Sequence, residues 1–229
     1  MCAVDFRTDL HGPTRNYAAG TSIVPGKTQP RRNRMPRYSE RTVSSSNNSL
    51  RRVAVYCGSA AGSDPAFLTE AVALGTAIAA AGLGMVYGGA SVGLMGAVAD
   101  AALAAGAEVI GVLPEVLAGS EIAHAGLTRL EVVPTMHARK ARMVKLADAF
   151  LILPGGYGTL DELMEIVTWK QLRLHAKPCV LINTAGYWDG LLSFLDSTVA
   201  AGFLKPENRK LLQVAENAAE AVEMVGREQ

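Results

Sequence analysis

The chain has 229 residues, 49% of them hydrophobic and 19% charged, with a formal net charge of +1, a size that suits one globular domain with at most an appendage. No apolar run approaches the roughly 18 residues needed to span a bilayer, and three scattered cysteines are too few for a disulfide framework or a zinc knuckle. Aromatic content of 6% gives little material for stacking single-stranded nucleic acid.

Residues 1–50 read as a flexible basic extension. Pro25, Gly26, Pro30, Pro36 and the run Ser44-Ser45-Ser46-Asn47-Asn48-Ser49 break any periodicity there. A later start at Met35, or an Arg- and Ser-rich transit peptide, are the competing readings. The segment holds eight of the 22 basic side chains and three of the 21 acidic ones, so the remaining chain is net acidic. An acidic body argues against nucleic acid as the main partner. With no secretory apolar segment at the start, a reducing cytoplasm is the expected compartment.

From Arg51 the pattern changes. Val53-Ala54-Val55-Tyr56 predicts a strand, followed by a glycine turn and a helix over residues 64–81. The unit repeats: a strand at 85–87, a helix to about residue 105, and a strand at 108–113. A strand at 130–133 precedes a basic helix at 136–147. Then come a strand at 150–153, a helix at 159–174, a strand at 180–182 and a helix after Tyr187. A last strand at 211–214 and a helix from Glu216 close the chain. Short apolar strands alternating with helices of ten or more residues mean βαβ units on a parallel sheet. The absence of period-2 alternation implies that helices cover both faces. Residues 51–229 are therefore expected to form an α/β domain, a three-layer, Rossmann-like, doubly wound parallel sheet.

In such folds ligands sit at the carboxyl ends of the strands, where this chain places glycine three times. The loops are Cys57-Gly58-Ser59-Ala60-Ala61-Gly62, Gly88-Gly89-Ala90-Ser91-Val92-Gly93-Leu94-Met95-Gly96 and Pro154-Gly155-Gly156-Tyr157-Gly158-Thr159. Any one of them could serve only to turn the chain. Three on one sheet edge point to a phosphate held by backbone N–H groups and helix N-termini. Neither the dinucleotide fingerprint nor the Walker A sequence is present.

The third loop runs into Leu160-Asp161-Glu162-Leu163-Met164-Glu165. Leu160, Leu163, Met164 and Val167 share one face, which should pack on the sheet. Asp161 and Glu165, four apart, are expected as a solvated pair. Glu162 in the first turn either complements the helix dipole or works in the site. Met136-His137-Ala138-Arg139-Lys140 begins another helix, and its adjacent cations suit an anionic substrate. His137 reads as a structural capping residue before it reads as a catalyst.

These residues resemble a known family. Pro154-Gly155-Gly156-Tyr157-Gly158-Thr159-Leu160-Asp161-Glu162 matches the PGGxGTxxE signature of the LOG (LONELY GUY) proteins, the cytokinin riboside 5′-monophosphate phosphoribohydrolases. Met136-His137-Ala138-Arg139-Lys140 matches their M-H-x-R-K motif, and the other two glycine loops look like their remaining signatures. The similarity spans about residues 51–225. It implies hydrolysis of the N-glycosidic bond of AMP or N6-isopentenyl-AMP, giving free base and ribose 5-phosphate. By this resemblance Arg139 and Glu162 are the catalytic pair. Glu121, Lys140, Gly156, Tyr157, Gly158, Thr159, Leu160, Asp161 and Thr168 contact the nucleotide, as do Ser59, Gly89 and Met95 in the first two loops. The stretch Ile122-Ala123-His124-Ala125-Gly126 departs from the common family pattern, which leaves base recognition open. The family also implies a homodimer, with Trp169 in the core or the shared face, and no membrane partner.

The chemistry is coherent. Departure of the base leaves an oxocarbenium-like ribosyl centre, which needs a nearby carboxylate and a placed water. Glu162 suits that role, while Arg139 stays protonated and can only position or donate. No metal or cofactor is required. A non-catalytic nucleotide-binding protein and a general nucleoside-monophosphate glycosidase are the alternatives.

Overall fold

The computed structural model describes residues 51–118 and 123–227; the expected extension over residues 1–50, and Glu121, lie outside the described residues. In chain order the elements are β1 (Arg52–Tyr56), α1 (Pro65–Ala80), β2 (Gly84–Tyr87), α2 (Gly93–Ala104), β3 (Val109–Pro114), α3 (Glu115–Ala118) and β4 (Arg129–Val133). They continue with α4 (Met136–Leu146), β5 (Ala149–Ile152), α5 (Tyr157–Gln171) and β6 (Cys179–Ile182). A 3₁₀ turn (Thr184–Gly186), α6 (Asp189–Ala200), α7 (Pro206–Arg209), β7 (Gln213–Ala215) and α8 (Ala218–Arg227) complete the described chain.

All seven described strands are parallel, in the order β4-β3-β2-β1-β5-β6-β7. Alternate residues of each inner strand feed opposite cores. Val53 and Val55 pack with Leu74 and Ile78 of α1, Val98 and Ala102 of α2, and Ala221 and Val225 of α8. Ala54 and Tyr56 pack with Met143 of α4, Leu163 and Ile166 of α5, and the α6 leucines on the other face. The sheet is thus doubly wound in three layers, as the strand-helix alternation predicts. The direction of winding reverses between β1 and β5, and that switch point is where an open α/β sheet leaves a crevice. Gly58 N–H donates to the Pro154 carbonyl across it at 3.0 Å, so the first and third glycine loops form one floor.

Two features depart from expectation. β4 is an edge strand with a single neighbour, and Leu130 and Val132 stay partly exposed, so not every strand is covered on both faces. α5 begins at Tyr157, two residues early, because the Gly156-Tyr157-Gly158 stretch turns directly into helix instead of looping.

α1 and α2 lie unusually close. A methyl group on Gly75 would run into the Val98 carbonyl, so only glycine lets these alanine-rich helices meet. α1 is started by Pro65 and by Asp64, whose carboxylate accepts the Ala66 N–H at 2.8 Å. None of the described helices is long and apolar enough to cross a membrane.

Candidate active site

A cavity of about 370 Å³ opens at the switch point. Its polar end is built by α4 and α5. Thr135 caps α4 by accepting the Ala138 N–H at 3.1 Å, which makes Thr135, and not the exposed His137, the capping residue. One turn on, Arg139 Nη2 donates to Glu162 Oε1 at 3.0 Å. Both side chains are close to nine-tenths buried, and both line the cavity. Burial pushes the Glu162 carboxyl up to about 7; the Arg139 charge opposes the rise without cancelling it, and Asp161 adds to it. The Arg139 Nε is buried without a partner among the described residues, so the guanidinium keeps an unspent donor beside the cavity.

Lys140 turns elsewhere. Its ammonium bonds Asp161 Oδ2 at 2.9 Å and Glu165 Oε1 at 3.3 Å, and it lies buried behind the cavity wall. Burial works against its charge most strongly, but the hydrogen bonds and charges of the two acids outweigh that and hold its pKa above the ordinary lysine value. The expected solvated pair Asp161/Glu165 is therefore a bidentate seat for a cation of the neighbouring helix.

The feature suited to an anion is the start of α5. Its N-cap, Gly156, offers no side-chain hydrogen bond, and the same holds for Val92 at the start of α2. Helices α1 and α4, by contrast, are closed by Asp64 and Thr135. The open start of α5 lines the cavity through Gly156, Tyr157 and Gly158, leaving first-turn N–H groups and the positive dipole end for an anion. Glycine is required at the seams. A methyl group on Gly155 would strike the Thr159 hydroxyl, and one on Gly88 would strike the Arg139 guanidinium.

Much of the remaining cavity lining is apolar: Ala90, Val92, Met95, Leu113, Leu117 and Met136. Of these, sequence reasoning singled out only Met95 as a contact. Leu113 and Leu117 had one legible signal, their place at and just beyond the carboxyl end of β3. Cys57 also faces the cavity, but burial drives its thiol pKa far up, so it is an inert wall and no nucleophile.

Nine of the expected residues meet in this cavity: Arg139, Glu162, Ser59, Met95, Gly156, Tyr157, Gly158, Thr159 and Asp161. Four others are placed outside its lining. Lys140 is in its two-acid seat, and Leu160 packs on the α4–α5 core. Gly89 faces Leu130 and Gly111 behind the second loop. Thr168 lies on the far side of α5, in a separate small cavity with Leu195 and Leu212. Trp169 is half-buried against the same core as Leu163, where its packing accounts for it.

Comparison with known proteins adds to this geometry. Residues 95–225 match a family model described as "Possible lysine decarboxylase". The chain is 44% identical over 173 residues to the cytokinin riboside 5′-monophosphate phosphoribohydrolase LOG1 of Arabidopsis thaliana, covering 76% of this chain and 81% of that one. It is 46% identical over 173 residues to the probable cytokinin riboside 5′-monophosphate phosphoribohydrolase LOGL9 of Oryza sativa subsp. japonica, covering 76% of each. Among solved structures, the Moco carrier protein of Chlamydomonas reinhardtii aligns with a TM-score of 0.59 at 26% identity, over 77% of this chain and 95% of that one. The molybdenum cofactor binding protein of Rippkaea orientalis aligns with a TM-score of 0.59 at 23% identity, over 77% of this chain and 95% of that one. These last likenesses speak for the shared fold.

Proposed function

Because the chain belongs to the LOG family of cytokinin riboside 5′-monophosphate phosphoribohydrolases, we propose that it hydrolyses the N-glycosidic bond of an N6-substituted adenosine 5′-monophosphate, releasing the free base and ribose 5-phosphate. The observation that carries the reading is the buried Arg139–Glu162 pair at 3.0 Å, set between an uncapped helix start and an apolar wall. A 5′-phosphate would take the first-turn N–H groups of α5 and the Thr159 hydroxyl. The base would lie against Val92, Leu113, Leu117 and Met136, and the ribosyl carbon between the two ends.

Glu162 as carboxylate stabilises positive charge developing on the ribose and accepts a proton from the attacking water. Water oxygen bonds to the ribosyl carbon as the carbon–nitrogen bond breaks, and the electron pair leaves on the base nitrogen, which takes up a proton. Arg139 cannot accept protons. It holds the carboxylate with one N–H. Phosphate binding, remote from the reacting bond, orients it. The cavity's described lining contains an arginine and two carboxylates and no lysine amine, which suits this hydrolysis and not the amine chemistry that the family model's description suggests.

The apolar wall favours an N6-substituted base over plain AMP, and so this reading over a general nucleoside-monophosphate glycosidase. A homodimer and a cytoplasmic location belong to the same proposal. Leu172 and Leu174, exposed at the end of α5, supply apolar surface for a subunit contact. The buried Cys57 is a free thiol, in keeping with a reducing compartment.

The test is a product assay with AMP, N6-isopentenyl-AMP and the two matching ribosides. Free base from the monophosphates only, faster from the isopentenyl compound, is the expected result. Nucleotide binding without release of base would return the chain to the reading as a non-catalytic nucleotide-binding protein.

A further inference from the structure

The stretch that departs from the family pattern contains a side chain with three structural ties. After α3 the described chain resumes at Ala123, which forms an isolated antiparallel bridge with Ala90, and the His124 N–H donates to the Gly89 carbonyl at 2.9 Å. The His124 ring is nearly buried. Its Nδ1 lies 3.0 Å from the Gly126 nitrogen, and a backbone N–H can only donate, so Nδ1 carries no proton. The ring proton is therefore on Nε2, which donates to Asp100 Oδ1 of α2 at 2.9 Å. One residue thus joins the chain at 123–126, the second glycine loop and α2.

Two of those pieces carry apolar cavity wall: Ala90 in the loop, and Val92 and Met95 at the start of α2. His124 itself does not line the cavity. The polar end is braced separately, by the Gly58–Pro154 bond and by the Arg139–Glu162 pair.

We propose that His124 is a positioning residue that clamps the apolar wall through Asp100 and Gly126, and thereby sets how tightly the base half of the nucleotide is held. The inference rests on the hydrolase reading above for what the two ends bind. Loosening the clamp moves the base wall and leaves the ribose-phosphate site in place.

Calorimetric binding of AMP, N6-isopentenyl-AMP and ribose 5-phosphate to the full chain separates the two ends. His124→Ala is expected to weaken both nucleotides about tenfold, the usual scale for a disturbed apolar pocket, with ribose 5-phosphate unchanged. Asp100 is largely exposed, so Asp100→Ala tests the same clamp with little risk to folding and should reproduce the pattern. Asp100→Asn still accepts the Nε2 proton and should behave as the parent. Equal weakening of all three ligands in the two alanine variants, or no weakening in either, would overturn the clamp. Failure of the hydrolase reading shows elsewhere, as absence of free base from the unsubstituted chain.

Discussion

Glu162 sits between two opposed pulls. Burial favours its neutral acid, the Arg139 guanidinium favours its carboxylate, and the result is a pKa near 7 where an exposed glutamate titrates near 4.5. That value suits a group that must take a proton at neutral pH. It also has a thermodynamic consequence. The folded chain holds this proton more tightly than the unfolded chain, so the stability it contributes is full below the unfolded value and is lost as pH rises to about 7. Urea unfolding of the unliganded chain should therefore show Glu162→Gln gaining stability on the parent between these pH values, at up to about 1.4 kcal/mol per pH unit. A constant difference across that range would mean that the carboxyl titrates normally. On the same grounds, kcat should climb as pH rises through about 7, and Glu162→Gln should lower kcat at least about a hundredfold while nucleotide binding survives. Arg139→Lys keeps a charge but loses the planar fork. Its kcat should fall with little change in KM, and a change confined to KM would make Arg139 a clamp and nothing more.

At the scale of elements, the site depends on helices whose starts are left open. α5 begins on a glycine with no side-chain cap and φ of −96°, and space lies open around the Gly156 Cα. Gly156→Asp should therefore fit. Its carboxylate would cap the helix and complement the dipole, worth a few tenths to about 1 kcal/mol, while occupying the anion's place with negative charge. The expected outcome is an unchanged or higher Tm together with loss of ribose 5-phosphate and nucleotide binding. If binding persisted, the phosphate would have to lie elsewhere.

The same elements show what the chain's pattern can reveal. The βα repeats and three glycine turns were legible because apolar periodicity and backbone permissiveness are local properties. Glu162 and Arg139 were legible through motif spacing. The seat of Lys140 was not, since Asp161 and Glu165 become its partners only when α4 and α5 pack side by side. Nor was the apolar wall, which Leu113, Leu117, Val92 and Met136 assemble from three separate connections. The start of α5 was misplaced by two residues because glycine and tyrosine there satisfy a loop and a helix start equally well.

On the scale of the whole molecule, the Arg139–Glu162 pair, the open start of α5 and the apolar wall all stand on the carboxyl edge of one sheet. Helices drawn from residues 65–227 pack on both faces of that sheet. Every described brace of the site is internal to this unit: the Gly58–Pro154 bond, the Arg139–Glu162 pair, the Lys140 seat and the His124 clamp. The two cores are continuous along the sheet, so unfolding of the unit should be cooperative. A chain beginning at residue 51 should then unfold in a single transition and hydrolyse the nucleotide with unchanged kcat and KM. If the proposed homodimer forms through Leu172 and Leu174, sedimentation equilibrium should give the same mass state for the shortened and the full chain, because the shortened chain retains both leucines. Leu172→Asp with Leu174→Asp should shift both chains toward monomer. Loss of activity or of the dimer on removing residues 1–50 alone would show that the basic segment completes the enzyme, and that the sheet and its braces are not sufficient.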